Sequence, residues 1–318
     1  MSDILSRLLE QNGWLMADGA TGTTLFNMGL RAGTAPETWN LDRPEAVRQL
    51  HSDAVAAGAD IFLTNSYGGN AARLRQSGAE APLRDLNRAA AALGRDVADA
   101  AGRPVVVAGS MGPTGEIMAP MGQMTMARAT EIFHEQAAAL KEGGVDLLWI
   151  ETIASLEEFR AAAAAAALVD MPWCGMMSFD TAGRTMMGVT PSDLAAAVER
   201  LPNPPLAYGA NCGLGMSDLL RSVLGFFAQG SERPVIAKGN AGIPRYQHGA
   251  IHYDGTPEQM ADYAVLARDA GVRIIGGCCG TEPAHLRAMR AALETRPKGP
   301  RPTLEGIVAR LGPFSPAA

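Results

Sequence analysis

Cysteine is scarce in this chain, with four in 318 residues, too few for a small fold held together by disulfides. A basic excess is also lacking. Lys plus Arg total 27 against 33 for Asp plus Glu, a formal net charge of −6, which argues against a nucleic-acid partner, since such proteins carry a basic excess or stripe. No stretch of about 18 apolar residues is free of charges or turn residues, so no membrane span is expected. The opening Met1-Ser2-Asp3-Ile4-Leu5-Ser6-Arg7 brings in an acid early and lacks the apolar centre of a secretory signal. A cytoplasmic protein with neither nucleic-acid nor membrane partners is the resulting expectation. Apolar residues make up 47% of the chain, ample for a full core, so disorder is excluded as the main state.

What is present is alternation. Short runs rich in Val, Ile, Leu and Met are separated by Ala-rich stretches with helical spacing. The strand candidates are Trp14–Asp18, Asp60–Thr64, Pro104–Ala108, Asp146–Glu151, Trp173–Ser178, Leu206–Asn211, Pro234–Lys238 and Arg273–Gly277. Several are apolar nearly throughout, as expected of strands buried on both faces. Helices are expected at Pro44–Ala57, Leu83–Ala101, Met124–Gly143, Ser155–Leu168, Ser192–Leu201, Ser217–Gln229, Thr256–Ala270 and Glu282–Glu294. Ser155 reads as an N-cap, followed by Glu157 and Glu158 in the first turn, where the helix dipole favours acids. Eight strand-then-helix units predict an α/β fold, a (β/α)8 TIM barrel, in a single domain over residues 1–294. The remainder, 295–318, with five prolines and one helical patch at Leu304–Leu311, reads as a C-terminal extension on the surface. A doubly wound sheet is the rival, but Asp18-Gly19-Ala20-Thr21-Gly22 lacks the dinucleotide-binding glycine pattern. Gly112-Pro113-Thr114-Gly115-Glu116 likewise lacks the Lys-Ser/Thr ending of a phosphate loop.

Reactive groups of such barrels sit at the C-terminal ends of the strands. Here those ends carry Asp18, then Asn65 and Tyr67, Glu151, Asn211-Cys212-Gly213, and Gly276-Gly277-Cys278-Cys279-Gly280. Three of the four cysteines are therefore expected at one rim, with Cys174 near the start of its strand and away from it. Three thiolates suit zinc, and a site with three protein ligands keeps a position open, as catalytic zinc sites do. The competing reading is three buried thiols acting as small apolar residues. Zinc with three thiolates is net anionic, a poor activator of water but well suited to holding a substrate thiol as thiolate and to attracting a cationic electrophile. Thiolate plus cationic methyl donor gives an in-line methyl transfer, in which charge is neutralised and water exclusion helps.

These residues, together with Gly58-Ala59-Asp60 and Thr64-Asn65, resemble the zinc-dependent homocysteine S-methyltransferases, most closely the betaine–homocysteine methyltransferase-like enzymes. The resemblance runs in order from about Trp14 to about Leu293, and its most specific part is Asn-Cys-Gly paired with Gly-Gly-Cys-Cys-Gly. It implies a (β/α)8 barrel and zinc on Cys212, Cys278 and Cys279. It further implies that Asp18 and Glu151 hold the homocysteine ammonium and that the loop Gly19, Ala20, Thr21 lies by the amino acid, with Asn211 among the substrate-binding residues. The implied activity is methyl transfer from an onium donor to homocysteine, giving methionine. Read without the resemblance, Asp18 is a turn cap and Glu151 a rim salt bridge.

The donor is read from the aromatics, which are only 5% of the residues. Quaternary ammonium and sulfonium groups are usually caged by aromatic faces, and Tyr67 is the best candidate here, with Trp39 a substitute in the loop after the first strand. The helix Pro44-Glu45-Ala46-Val47-Arg48-Gln49-Leu50-His51 is similar to that of betaine-dependent enzymes, so betaine leads, with dimethylsulfoniopropionate or S-methylmethionine as sulfonium alternatives. No cobalamin or folate module is expected in 318 residues, so methylcobalamin would require a separate corrinoid protein. A non-catalytic structural-zinc barrel is the third reading. The resemblance is compatible with a homo-oligomer but gives no reason to assume a tetramer. Lys238 reads as a rim ion pair or a substrate contact. The segment Tyr246, His248, His252 and Tyr253 reads as a loop that could serve as a lid.

Overall fold

The structure, a computed structural model, describes residues 3–78, 83–228, 230, 232–247 and 250–315; His248 lies outside the described residues. Eight parallel strands form one sheet: β1 (Leu15–Met16), β2 (Ile61–Leu63), β3 (Val106–Met111), β4 (Leu147–Ile153), β5 (Trp173–Met177), β6 (Ala207–Cys212), β7 (Val235–Gly239) and β10 (Ile274–Gly277), in the order β1-β10-β7-β6-β5-β4-β3-β2. A bridge from Ala17 to Ile61 joins the two end strands and closes the barrel. All eight expected strands are present and the (β/α)8 barrel is the fold. The seam between β1 and β2 is short in ladder bonds and is tied by two aspartates. Asp60 Oδ2 accepts from Met16 N at 2.9 Å, and Asp18 Oδ2 accepts from Leu63 N at 2.8 Å.

The barrel interior and the layer outside it are distinct cores. Inward residues such as Ile61, Val106, Leu147, Trp149, Cys174, Ile236 and Ile274 pack among themselves, while Phe62, Val107, Leu148 and Ile275 face the surrounding helices, the alternation that strand geometry imposes. Helices α4 (Pro44–Ala56), α6 (Leu83–Asp99), α7 (Met126–Gly143), α8 (Leu156–Leu168), α9 (Pro191–Glu199), α10 (Met216–Phe227), α11 (Pro257–Ala270) and α12 (Pro283–Thr295) form the outer ring. Their starts follow capping chemistry: Ser155 accepts from Glu158 N, and Thr190 and Thr256 each form a capping box.

Several elements fall outside the expected alternation. Helix α1 (Ile4–Asn12) precedes the first strand and inserts Leu5, Leu8 and Leu9 into the N-terminal end of the barrel interior. Short helices α2 (Gly22–Asn27), α3 (Trp39–Asp42) and α5 (Ala71–Ser77) lie in the connections after β1 and β2. The segment read as a loop holds an antiparallel pair, β8 (Arg245–Gln247) with β9 (Ala250–His252). Helix α13 (Leu304–Leu311) packs its fully buried Ile307 onto the barrel. Asp218 Oδ2 accepts from Ser315 N, and Ser217 Oγ donates to Gly312 O, so this part of the 295–318 extension adheres to α10. Among the described residues no helix is long and apolar enough to cross a membrane.

Candidate active site

The C-terminal ends of the strands open into a cavity of about 640 Å³, lined among others by Gly19, Ala20, Thr21, Glu37, Tyr67, Arg73, Ser110, Glu151, Thr152, Lys238 and the three cysteines Cys212, Cys278 and Cys279. Its size lies within the range of small-molecule sites. The sulfurs of Cys212, at the end of β6, and of Cys278 and Cys279, just past β10, all lie within 4.8 Å of one another. A tetrahedral zinc with Zn–S bonds near 2.3 Å needs sulfurs roughly 3.8 Å apart, so small side-chain adjustments suffice and the donor set fits the metal. Cys174 is fully buried in the barrel interior and does not join the group.

Local backbone brings these sulfurs together. Cys212 has φ 64° and Thr152 φ 62°, left-handed conformations that non-glycine residues rarely adopt and that concentrate at functional sites. The chain after β10 is pinned to β7: Cys278 N donates to Gly239 O at 2.7 Å, and Cys279 N donates to Asn240 Oδ1 at 3.0 Å. Gly280, at φ 75°, is required sterically as well, because a Cβ there would lie 2.3 Å from the Tyr253 ring. Two amides face the sulfurs, Asn240 Nδ2 at 3.7 Å from Cys212 Sγ and Asn211 Nδ2 at 3.9 Å from Cys278 Sγ. Asn211 is itself fixed, its Oδ1 accepting from Thr152 N at 2.9 Å. One thiol–thiol hydrogen bond each pulls Cys212 and Cys279 down, but the other, together with burial and the neighbouring sulfur charges, outweighs it and pushes both up to about 12; Cys278 is raised too. Crowded thiols of this kind become thiolates only with a cation between them.

The charged groups divide. Asp18 sits behind the cavity wall, 5% exposed, with Oδ1 2.5 Å from Lys238 Nζ and Oδ2 taken by Leu63 N. Lys238 is itself buried; desolvation opposes its charge, but Asp18 and Glu151 outweigh that and raise its pKa. Glu151 lines the cavity and accepts from Ser110 Oγ at 2.6 Å. Burial raises its pKa, with Lys238 and Ser110 pulling the other way. The half-buried Tyr67 phenol, near Thr152, is pushed up by desolvation and stays neutral. Its ring fits only because residue 112 is glycine: a Cβ there would lie 2.5 Å from Tyr67. Ala20 N donates to Thr281 O, and no side chain caps the first turn of α2, which leaves backbone donors there. Trp39 is buried under Arg43 and does not line the cavity.

Sequence reasoning passed over Glu37, Arg73, Ser110 and Asn240. Asn240 directly follows β7, and the strand-end rule that found Cys212 and Glu151 could have found it. Glu37 and Arg73 lie in a turn and a short helix that carry no periodic signal.

The homocysteine S-methyltransferase family model matches residues 15–293. A methionine synthase from Mycobacterium tuberculosis is 30% identical over 310 residues, covering 92% of this chain and 25% of that protein; one from Mycobacterium leprae is 29% identical, covering 94% and 26%. The chain thus spans about a quarter of the length of these relatives. The metallated form of the homocysteine methyltransferase MmuM from Escherichia coli is 26% identical with a TM-score of 0.73, covering 90% of this chain and 99% of that one. Its oxidised form gives a TM-score of 0.75 at 26% identity, covering 91% and 99%. The matched family model, with the barrel and the three-cysteine cluster at its rim, means that this chain belongs to the homocysteine S-methyltransferase family.

Proposed function

We propose that this protein is a zinc-dependent methyltransferase that moves a methyl group from a cationic onium donor to homocysteine, giving methionine. Betaine is the leading donor, and dimethylsulfoniopropionate or S-methylmethionine are the sulfonium alternatives. The observation that carries this reading is the cluster of Cys212, Cys278 and Cys279 in the wall of a cavity that also holds a buried, cation-seeking carboxylate, Glu151. Zinc bound to the three sulfurs would supply a fourth position in which the homocysteine sulfur is held as thiolate at neutral pH.

The chain's own residues set the geometry. Glu151 receives the homocysteine ammonium. Asp18 acts alongside it by holding Lys238, so that this base does not neutralise Glu151 fully and a further positive charge is favoured there. With the Ala20 N–H given to Thr281 O, Thr21 and the uncapped first turn of α2 present backbone N–H groups to the substrate carboxylate. Asn211 and Asn240 direct N–H groups at the sulfurs and steady them. Tyr67 offers its ring to the donor methyl groups. The thiolate attacks one methyl carbon in line; the S–C bond forms as the C–N or C–S bond of the donor breaks, and the electron pair leaves with the donor. Opposite charges are neutralised along this path, so an enclosed cavity favours it over water. A reducing compartment such as the cytoplasm would suit a site whose chemistry needs its three thiols unoxidised.

The test is a donor panel with zinc-loaded protein and homocysteine: betaine, dimethylsulfoniopropionate, S-methylmethionine and S-adenosylmethionine, with methionine measured by mass spectrometry. X-ray absorption should show three sulfurs and a lighter atom on zinc, becoming four sulfurs when homocysteine is added. A four-sulfur shell of protein ligands alone would overturn the reading in favour of a structural metal. The coverage of a quarter of each methionine synthase favours a second reading: a homocysteine-activating unit supplied by a separate corrinoid protein. Turnover with an onium donor and no partner protein decides against it.

A further inference from the structure

The cavity has a second charged region, formed by residues from the connections after β1 and β2. Glu37 lies in the 3-10 turn Pro36–Thr38. It is 3% exposed and lines the cavity. Its Oε1 accepts from Gly68 N at 2.6 Å, and no salt bridge reaches it among the described residues. The turn is locked: Asn65 Nδ2 donates to Pro36 O at 2.8 Å and to Asn40 Oδ1 at 3.1 Å, and Asn40 Nδ2 returns a bond to Asn65 O at 2.8 Å. The Arg73 charge acts on it without closing to an ion pair, so the buried carboxylate is only partly neutralised and favours a further cation beside it. Arg73, on α5, also lines the cavity. Its Nε donates to Pro113 O at 3.2 Å, which leaves its terminal nitrogens without a protein acceptor among the described residues. Asn70 fixes the start of α5, its side chain accepting from Arg73 N and donating to the carbonyls of Gly112 and Pro113.

Tyr67 is the one aromatic side chain among the described residues lining this cavity. A cage of rings is therefore not available for an onium group, and its charge must be met in another way.

We propose that Glu37 and Arg73 form the donor subsite, and that the donor is a zwitterion whose onium cation is set against Glu37 and whose carboxylate is set against Arg73. This inference rests on the methyl-transfer reading above and names the class of donor. Fixed charges of opposite sign in one wall match the reversed pair of charges in such a molecule. The cation is consumed in the reaction: as the methyl passes to sulfur, the donor nitrogen or sulfur keeps the electron pair and becomes neutral, with no proton moved. Glu37 thus binds the donor more strongly than the product and governs selection and release, whereas the rate of the chemical step is set at the cysteines.

Glu37→Gln and Arg73→Gln separate the two contacts, and Gln at position 37 can still accept the Gly68 bond. Calorimetric binding to zinc-loaded protein saturated with methionine, which has no thiol to methylate, would use betaine and dimethylsulfoniopropionate, each paired with its carboxylate-free counterpart, tetramethylammonium or trimethylsulfonium. Glu37→Gln should weaken both members of a pair at least tenfold. Arg73→Gln should weaken only the carboxylated member, and zinc content and homocysteine affinity should stay within twofold in both variants. Affinities unchanged by Glu37→Gln, or an equal loss for both members in Arg73→Gln, would overturn the subsite. So would a wild-type protein that takes homocysteine onto the metal yet binds neither zwitterion. A metal shell unaltered by homocysteine in wild type would instead sink the methyl-transfer reading itself.

Discussion

The two ends of this barrel are built on opposite principles. At the N-terminal end, α1 inserts Leu5, Leu8 and Leu9 among Leu15, Ile61, Leu147 and Cys174, and the interior is sealed by apolar contact. At the C-terminal end the same strands finish in Glu151, Lys238 and three cysteines around an open cavity, with Asp18 behind its wall. One end supplies stability by removing apolar surface from water; the other keeps charges and thiols out of water, which opposes stability and is sustained by the first. Cysteine itself shows the contrast, because Cys174 belongs to the sealed end and the other three to the open one.

That contrast is broken most sharply by substituting one cysteine at each end. Cys278→Ala should lose bound zinc and all turnover, since two sulfurs do not replace three at a tetrahedral site. Cys174→Ala should retain full zinc content and activity and lose about 1 kcal/mol of stability from a small cavity. Elemental analysis of the purified variants, with denaturant titration of each, reads both outcomes. Equal zinc loss in the two would mean that the ends are not separate.

Leu5→Ala sharpens the comparison from the sealed end. It removes a fully buried side chain and should cost about 2–5 kcal/mol of stability, while the homocysteine KM stays unchanged. Glu151→Gln is the reverse case. Losing a charged hydrogen bond worth about 1.5–3 kcal/mol should raise the homocysteine KM by about 10- to 150-fold, with unfolding free energy unchanged or increased because a buried charge is gone. A Leu5→Ala protein of wild-type stability, or a Glu151→Gln protein of wild-type KM, would contradict the division.

The division also governs what could be read from the chain. The strands were legible because each is buried on both faces and bounded by helical spacing, and the cysteines because they sit just beyond such runs. Helix α1 escaped notice, being a nine-residue element that precedes the first strand and so lies outside the repeat. The pairing of Asp18 with Lys238 joins residues 220 apart, and only the closure of the barrel, with β10 between β1 and β7, puts their strands close together. Glu37 and Arg73 owe their place to turns locked by Asn65 and Asn70, side-chain bonds that leave no periodic trace. Position along a strand was thus readable, whereas contact across the cavity depended on the loops.

The smallest expected effect concerns a charge buried near the open end with no ligand assigned to it. Glu158 is 4% exposed, and its Oε1 accepts from Thr114 N at 2.8 Å and from Thr114 Oγ1 at 2.7 Å. Burial raises its pKa despite those two bonds and the nearby Arg73 charge. The folded protein therefore binds this proton more tightly than the unfolded chain does. Stability from this group is fully present below the unfolded carboxylate value of about 4.3 and is lost as pH rises through the higher folded value. Glu158→Gln carries no such proton and can still accept from Thr114. Its stability relative to wild type should therefore increase between pH 4 and pH 8, read by urea unfolding at several pH values. A relative stability that decreases over that interval would mean that the Thr114 bonds outweigh burial and hold Glu158 as a favourable anion.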